Sequence, residues 1–305
     1  MNNFIQFELW KDCKNGCKFC FNKGQQDVDK LSSLQFVMNK LNSEEMNNYN
    51  EVGFIGGEFF DNQLEQPMIK QTFYKMFDIC IQKIHQGLIE KMYITTSLLY
   101  DMQVYLISFL EYLKKNNVLE NTLLCTSYDL KYRFHTEKRK KMWEDNMIML
   151  HNLYPTLKLH TEMIVSGFLV DAILQDTFSI KEFCQTYNTF VDYIEPCSGF
   201  YFYNKEECIK NMPDFFPTKD KFIQFLYKTI IKNKEIDLMT FLSPNLRSNT
   251  EYFNYNGQQC ILENRRTIND KFLIPNLTVE YEYGFADSND TMIDIVNDLR
   301  QMIMD

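Results

Sequence analysis

The chain has 305 residues, 45% hydrophobic, 24% charged and 15% aromatic, with a formal net charge of −9. Its 26 Phe, 18 Tyr and 16 Met are ample material for a core, which excludes wholesale disorder. The length suits one barrel-sized domain plus an extension. No uncharged apolar run reaches the roughly 18 residues of a membrane span. The acidic balance argues against a protein that coats nucleic acid through bulk charge, leaving only a local basic patch for such a role. Glu8 interrupts the first apolar stretch and no basic segment precedes it, so no signal peptide is read and a cytoplasmic location is expected.

In chain order, Phe4-Ile-Gln-Phe-Glu-Leu-Trp10 alternates like a first strand. Three of the nine cysteines follow it within eight residues, spaced Cys13-x3-Cys17-x2-Cys20. The other six (Cys80, Cys125, Cys184, Cys197, Cys208, Cys260) are scattered, and a cytosolic chain keeps its thiols reduced, so a disulfide framework is not expected. The cluster reads as a ligand set. Structural zinc wants four ligands, usually as two pairs, and no second pair stands here: the next cysteine is Cys80 and the first histidine is His85. Three thiolates without a fourth suit an iron–sulfur cubane whose last iron is left to an exogenous ligand. Zinc stays the alternative.

A second short strand over 51–56 ends in Gly56-Gly57-Glu58. On its own this is a tight turn after a buried strand; glycines also let backbone approach a ligand closely, and a carbonyl or carboxylate accepts from an ammonium. Further β-rich runs fall near 91–96, 121–127, 157–165 and 191–195. Amphipathic helices are predicted over 31–42, 66–87, 102–116, 137–153, 179–188 and 218–232. Six strand–helix units imply a parallel sheet with right-handed crossovers, an α/β fold. Past about 206 the pattern changes to turns, apparent strands including 277–283, and a final helix over about 288–304. This is read as a C-terminal extension, 206–305, that closes the open side of a 1–205 domain and shapes a substrate pocket.

The cysteine spacing, with Phe19 before the last cysteine, and the Gly-Gly-Glu at the second strand end resemble the signature of the radical S-adenosylmethionine superfamily. The resemblance covers roughly residues 1–205 and implies a partial (β/α)6 barrel of the radical SAM type. It implies that Cys13, Cys17 and Cys20 bind three irons of an oxygen-sensitive [4Fe–4S] cluster, whose fourth iron takes S-adenosylmethionine. Gly56, Gly57 and Glu58 would then hold the methionine end, and the backbone around Phe19 would lie near the adenine. The implied reaction is reductive cleavage of S-adenosylmethionine to a 5′-deoxyadenosyl radical, which abstracts hydrogen from a substrate. The electron would come from an external donor such as flavodoxin or ferredoxin. The substrate class stays open between a peptide or protein side chain and a nucleotide or nucleic-acid base. One departure is Phe59-Phe60, where many members carry Pro after the Glu, so the backbone after Glu58 is expected to differ.

Ser127 and Asp129, at the end of the fourth strand, are candidates for the ribose or carboxylate of S-adenosylmethionine; both are also ordinary residues for starting a loop. Thr95-Thr96-Ser97 resembles the family's polar strand ends more loosely. Residues 131–141 hold six basic residues against one acidic, plus His135, and read as a phosphate or tRNA contact or as a solvated helix start. Cys197, Cys208 and Cys260 offer no close pair, so no auxiliary cluster is expected. Two other functions compete. Cys17-Lys-Phe-Cys20-Phe-Asn22 resembles the ending seen in glycyl-radical-enzyme activases, and a non-catalytic module could use a structural metal or an inert cluster.

Overall fold

The computed structural model of the chain describes residues 3–18, 29–194, 214–234, 250–254, 256–257, 259–260, 298 and 301. Phe19, Cys20, Cys197, Cys208 and the strand expected over 277–283 lie outside the described residues; of the final helix, Asp298 and Gln301 are described and are helical. Six strands stand where alternation places them: β1 (Phe4–Glu8), β2 (Glu51–Ile55), β3 (Lys91–Thr95), β4 (Thr122–Tyr128), β5 (Lys158–Ile164) and β6 (Thr189–Ile194). Each pairs in parallel with the next. The connections carry α1 (Lys30–Leu41), α2 (Pro67–His85), α3 (Leu106–Lys115), α4 (Glu137–Leu153), α5 (Gly167–Leu174) and α6 (Ile180–Tyr187). Of these, α5 was not foreseen.

Two further strands extend the same sheet beyond β1. β7 (Thr250–Phe253) pairs with β1 in parallel and β8 (Gln259–Cys260) pairs with β7 antiparallel, giving the order β6-β5-β4-β3-β2-β1-β7-β8. Among the described residues the edge strands do not pair with each other, so the sheet is open. An eight-residue helix, α7 (Lys219–Leu226), continues as a π-helical stretch over Tyr227–Lys232 and packs on α5. No helix among the described residues is long and apolar enough to cross a membrane.

Helix starts follow local chemistry. Asp29, Thr136, Ser166, Ser179 and Thr218 each stand before a helix and accept a hydrogen bond from a backbone N–H of its first turn. Pro67 opens α2, where its missing N–H costs nothing.

The two faces of the sheet differ sharply. On one face Phe7, Phe54 and Phe253 stack, and Phe54 meets Phe77 of α2 at 4.9 Å between ring centroids. Phe73 and Phe77 continue the cluster to Phe109 of α3, and Trp143 of α4 packs on Tyr128 of β4 and Phe183 of α6. Among the described residues, α2, α3, α4 and α6 share this aromatic layer. The opposite face carries Gln6, Glu51, Tyr93, Thr95, Ser127 and Glu162 by strand alternation. There Tyr93 donates to Glu51 at 2.9 Å, and Cys125 Sγ lies 3.5 Å from His160 Nδ1. A parallel sheet packed between two helical layers would be apolar on both faces. An open run of six parallel strands joined by helices is consistent with a partial barrel.

Candidate functional site

Because β1 to β6 are parallel, their carboxyl ends share one edge, and among the described candidates Cys13, Cys17, Gly56, Gly57, Glu58, Ser127 and Asp129 follow or close strands at that edge. Pairing between β1 and β2 continues past both strands. Leu9 N donates to Ile55 O at 2.9 Å, Gly57 N to Trp10 O at 2.7 Å, and Glu58 N to Asp12 O at 2.8 Å. Gly-Gly-Glu thus runs beside the first residues of the cysteine loop. A Cβ on Gly57 would stand 1.9 Å from Asp12 O, and one on Gly56 2.2 Å from Trp10 O. The close approach these glycines permit is to the chain's own loop. The Gly57 carbonyl accepts no hydrogen bond from a described residue, leaving an acceptor at the strand end.

Glu58 fixes this turn from below. Its side chain is fully buried and accepts from Phe60 N (3.1 Å), the Thr96 hydroxyl (2.9 Å), Ser97 N (2.6 Å) and the Ser97 hydroxyl (2.5 Å), while its carbonyl accepts from Trp10 Nε1 at 3.3 Å. Burial pushes the carboxyl above the usual carboxylate range, against the pull of these donors. The carboxylate is committed to tying the end of β2 to the end of β3. Thr96 and Ser97, the loosest candidates from sequence, serve Glu58.

Cys13 and Cys17 are half-buried on the loop leaving β1 and belong to no disulfide. Asn15 N lies 3.5 Å from Cys13 Sγ, and the Cys17 thiol lies 3.8 Å from Arg133 O. Cys20 lies outside the described residues, and among the described residues no three His, Cys, Asp or Glu side chains gather as a metal site. From the α1 side, Lys30 pairs with Asp12 at 2.9 Å and the Ser33 hydroxyl donates to Leu9 O at 2.6 Å.

Ser127 is half-buried on the polar face, beside Glu162 in the β4–β5 register. Asp129 is 1% exposed, and one carboxylate oxygen accepts from the backbone of Lys131 (2.9 Å), Tyr132 and Arg133 (3.2 Å). Burial raises its pKa, and the Tyr132 and Lys131 N–H groups oppose the rise. This is the loop-starting role, and it aims the next residues at the strand edge.

Among those is Arg133, which sequence reasoning passed over as one charge in a basic run. It is only 5% exposed; Nη2 donates to Ser97 O at 3.2 Å, Nε has no hydrogen-bond partner, and no carboxylate among the described residues pairs with it. A buried cation without a counter-charge is costly, and an anionic ligand at the strand edge would relieve it. The available signal was its place, four residues past an Asp that ends a strand.

No protein-family model matches the chain, and no curated protein matches it. Among solved structures it is similar to the one titled "Crystal structure of Streptococcus suis SuiB", with 15% sequence identity and a TM-score of 0.46. The match covers 89% of this chain and 64% of that one, so the chain spans less than two thirds of the length of SuiB.

Two expectations follow. Gly57→Ala must displace Asp12, and urea denaturation should show a loss of about 3 kcal/mol; Gly16→Ala, where φ is +62° but nothing lies within 4 Å, should lose only about 1 kcal/mol. For Glu58, the raised pKa means the folded state keeps a proton that the unfolded chain has released. Stability from this group is full below the ordinary carboxylate value and is lost as pH rises through the folded value. The stability of the native chain minus that of Glu58→Gln should therefore fall with rising pH, by at most about 1.4 kcal/mol per unit; a flat difference would contradict the burial account.

Proposed function

We propose that the chain is a radical S-adenosylmethionine enzyme that abstracts hydrogen from a peptide, protein or nucleotide substrate. One observation carries the reading. Leu9, Trp10 and Asp12, which lead from β1 to Cys13 and Cys17, run in continuous backbone register with Ile55-Gly56-Gly57-Glu58 at the end of β2. The donor set fits an iron–sulfur cluster: Cys13 and Cys17 are partly exposed thiols outside any disulfide, and Cys20 would be the third ligand. When bound, a [4Fe–4S] cluster supplies the electron for reductive cleavage of the sulfonium of S-adenosylmethionine, replenished by an external donor such as flavodoxin or ferredoxin.

The chain's own residues bind and orient. The Gly57 carbonyl is an acceptor for the methionine ammonium, the role that the Glu58 carboxylate, occupied by Thr96 and Ser97, does not fill. Arg133 offers the methionine carboxylate a buried guanidinium with an unused donor. Asp129 sets the backbone that carries Arg133, and Ser127 stands on the polar face within the same strand end. The backbone around Phe19 would lie near the adenine. None of these steps requires a general acid or base.

The test is anaerobic reconstitution of the full chain with iron and sulfide. About four irons per chain and absorbance near about 400 nm are expected. Arg133→Ala should keep the iron and lose about tenfold in S-adenosylmethionine affinity. One tightly bound zinc without iron, or iron retained by a triple Cys13, Cys17, Cys20→Ala variant, would overturn the assignment.

A further inference from the structure

We infer that the stretch 132–139, between β4 and the first turn of α4, is a rigid template for the cysteine loop, and that His135 and Arg139 are positioning residues for Cys13 and Cys17. Every described residue from 15 to 18 touches this stretch. Arg139 donates from Nη1 to Asn15 O at 3.1 Å and from Nη2 to Asn15 Oδ1 at 2.7 Å. His135 Nε2 donates to Gly16 O at 2.7 Å, which fixes the proton on that nitrogen. The Cys17 thiol faces Arg133 O, and Lys18 N donates to Tyr132 O at 3.4 Å. Asn15 and Gly16, two of the three residues between the two thiols, are thereby clamped by side chains that lie more than a hundred positions away in the chain.

Two local conflicts point the same way. His135 adopts a left-handed backbone with φ +58°, unfavourable for a residue with a β-carbon. Arg139 lies in the first turn of α4, where the helix dipole favours anions over cations. Neither choice stabilises its own segment; both deliver a donor to the cysteine loop. Such breaks in local consistency mark functional positions. The bidentate fork is a geometry that lysine cannot supply. His135 and Arg139 of the 131–141 run thus have an internal purpose, whereas Lys141 pairs with Asp145 one helical turn on.

The effect is preorganisation. The spacing of the first two thiols is set by the fold before any metal arrives, as outer residues commonly do for ligands. The inference rests on the proposed function for what the thiols hold, but its core claim concerns the metal-free loop.

It is tested on the reduced, metal-free full chain by the rate at which a small alkylating reagent labels Cys13 and Cys17, read for each cysteine by peptide mass spectrometry. Arg139→Ala and His135→Asn, the latter tolerant of the left-handed backbone, should each raise the labelling rate about tenfold. Arg139→Lys should fail to restore it, Lys141→Ala should leave it unchanged, and the urea midpoint should stay within the native range in all four. After reconstitution, Arg139→Ala should release iron to a chelator about tenfold faster than the native chain. Unchanged labelling in both Arg139→Ala and His135→Asn would overturn the template. Faster labelling in a chain that never takes up iron would support the template and sink the cluster assignment.

Discussion

The interaction on which the rest depends is the backbone pairing that runs past the ends of β1 and β2, from Leu9 with Ile55 to Glu58 with Asp12. Strand pairing normally stops where loops diverge. Here it continues because Gly56 and Gly57 have no side chain to hold the two backbones apart, and because Glu58 is anchored beneath by Thr96 and Ser97. The cysteine loop therefore departs from a fixed platform. Lys30 holds Asp12 on one side, and His135 and Arg139 hold Gly16 and Asn15 on the other.

This arrangement costs the fold several ordinary preferences. Among the described residues a carboxyl group is buried without a cation and a guanidinium without an anion, and a histidine takes a left-handed backbone, all at one edge of the sheet. The helix-covered face of the sheet is conventional, with Phe7, Phe54, Phe73, Phe77 and Phe109 packed between sheet and helices. Concentrating local cost at one edge of a well-packed scaffold is how a fold supports a preorganised site.

Much of this was legible in the sequence. The six strands from Phe4–Glu8 to Thr189–Ile194 announced themselves by alternation and β-branched or aromatic content, and five of the six connecting helices by their period. The helix Gly167–Leu174 escaped because it spans only two turns, is apolar nearly all round and begins with glycine, so no amphipathic period marks it. The cysteine spacing and the Gly-Gly-Glu were visible as motifs, but their mutual contact was not, since 45 or so residues separate them (about the length of one strand–helix unit). The glycines were read as making room for a ligand; the backbone they make room for is the chain's own. Arg133, His135 and Arg139 looked like a single basic run because charge counting cannot distinguish a cation that faces water from one whose partner lies a hundred residues upstream.

The central claim is that this platform serves cleavage of S-adenosylmethionine, and its most direct measurement is product formation. The full chain, reconstituted anaerobically, would be incubated with S-adenosylmethionine and a strong reductant and assayed for 5′-deoxyadenosine by mass spectrometry. The account expects 5′-deoxyadenosine from the native chain and none from the Cys13, Cys17 and Cys20 variants. Equal 5′-deoxyadenosine from the native chain and those variants, or a native chain that takes up only zinc and forms none, would contradict it.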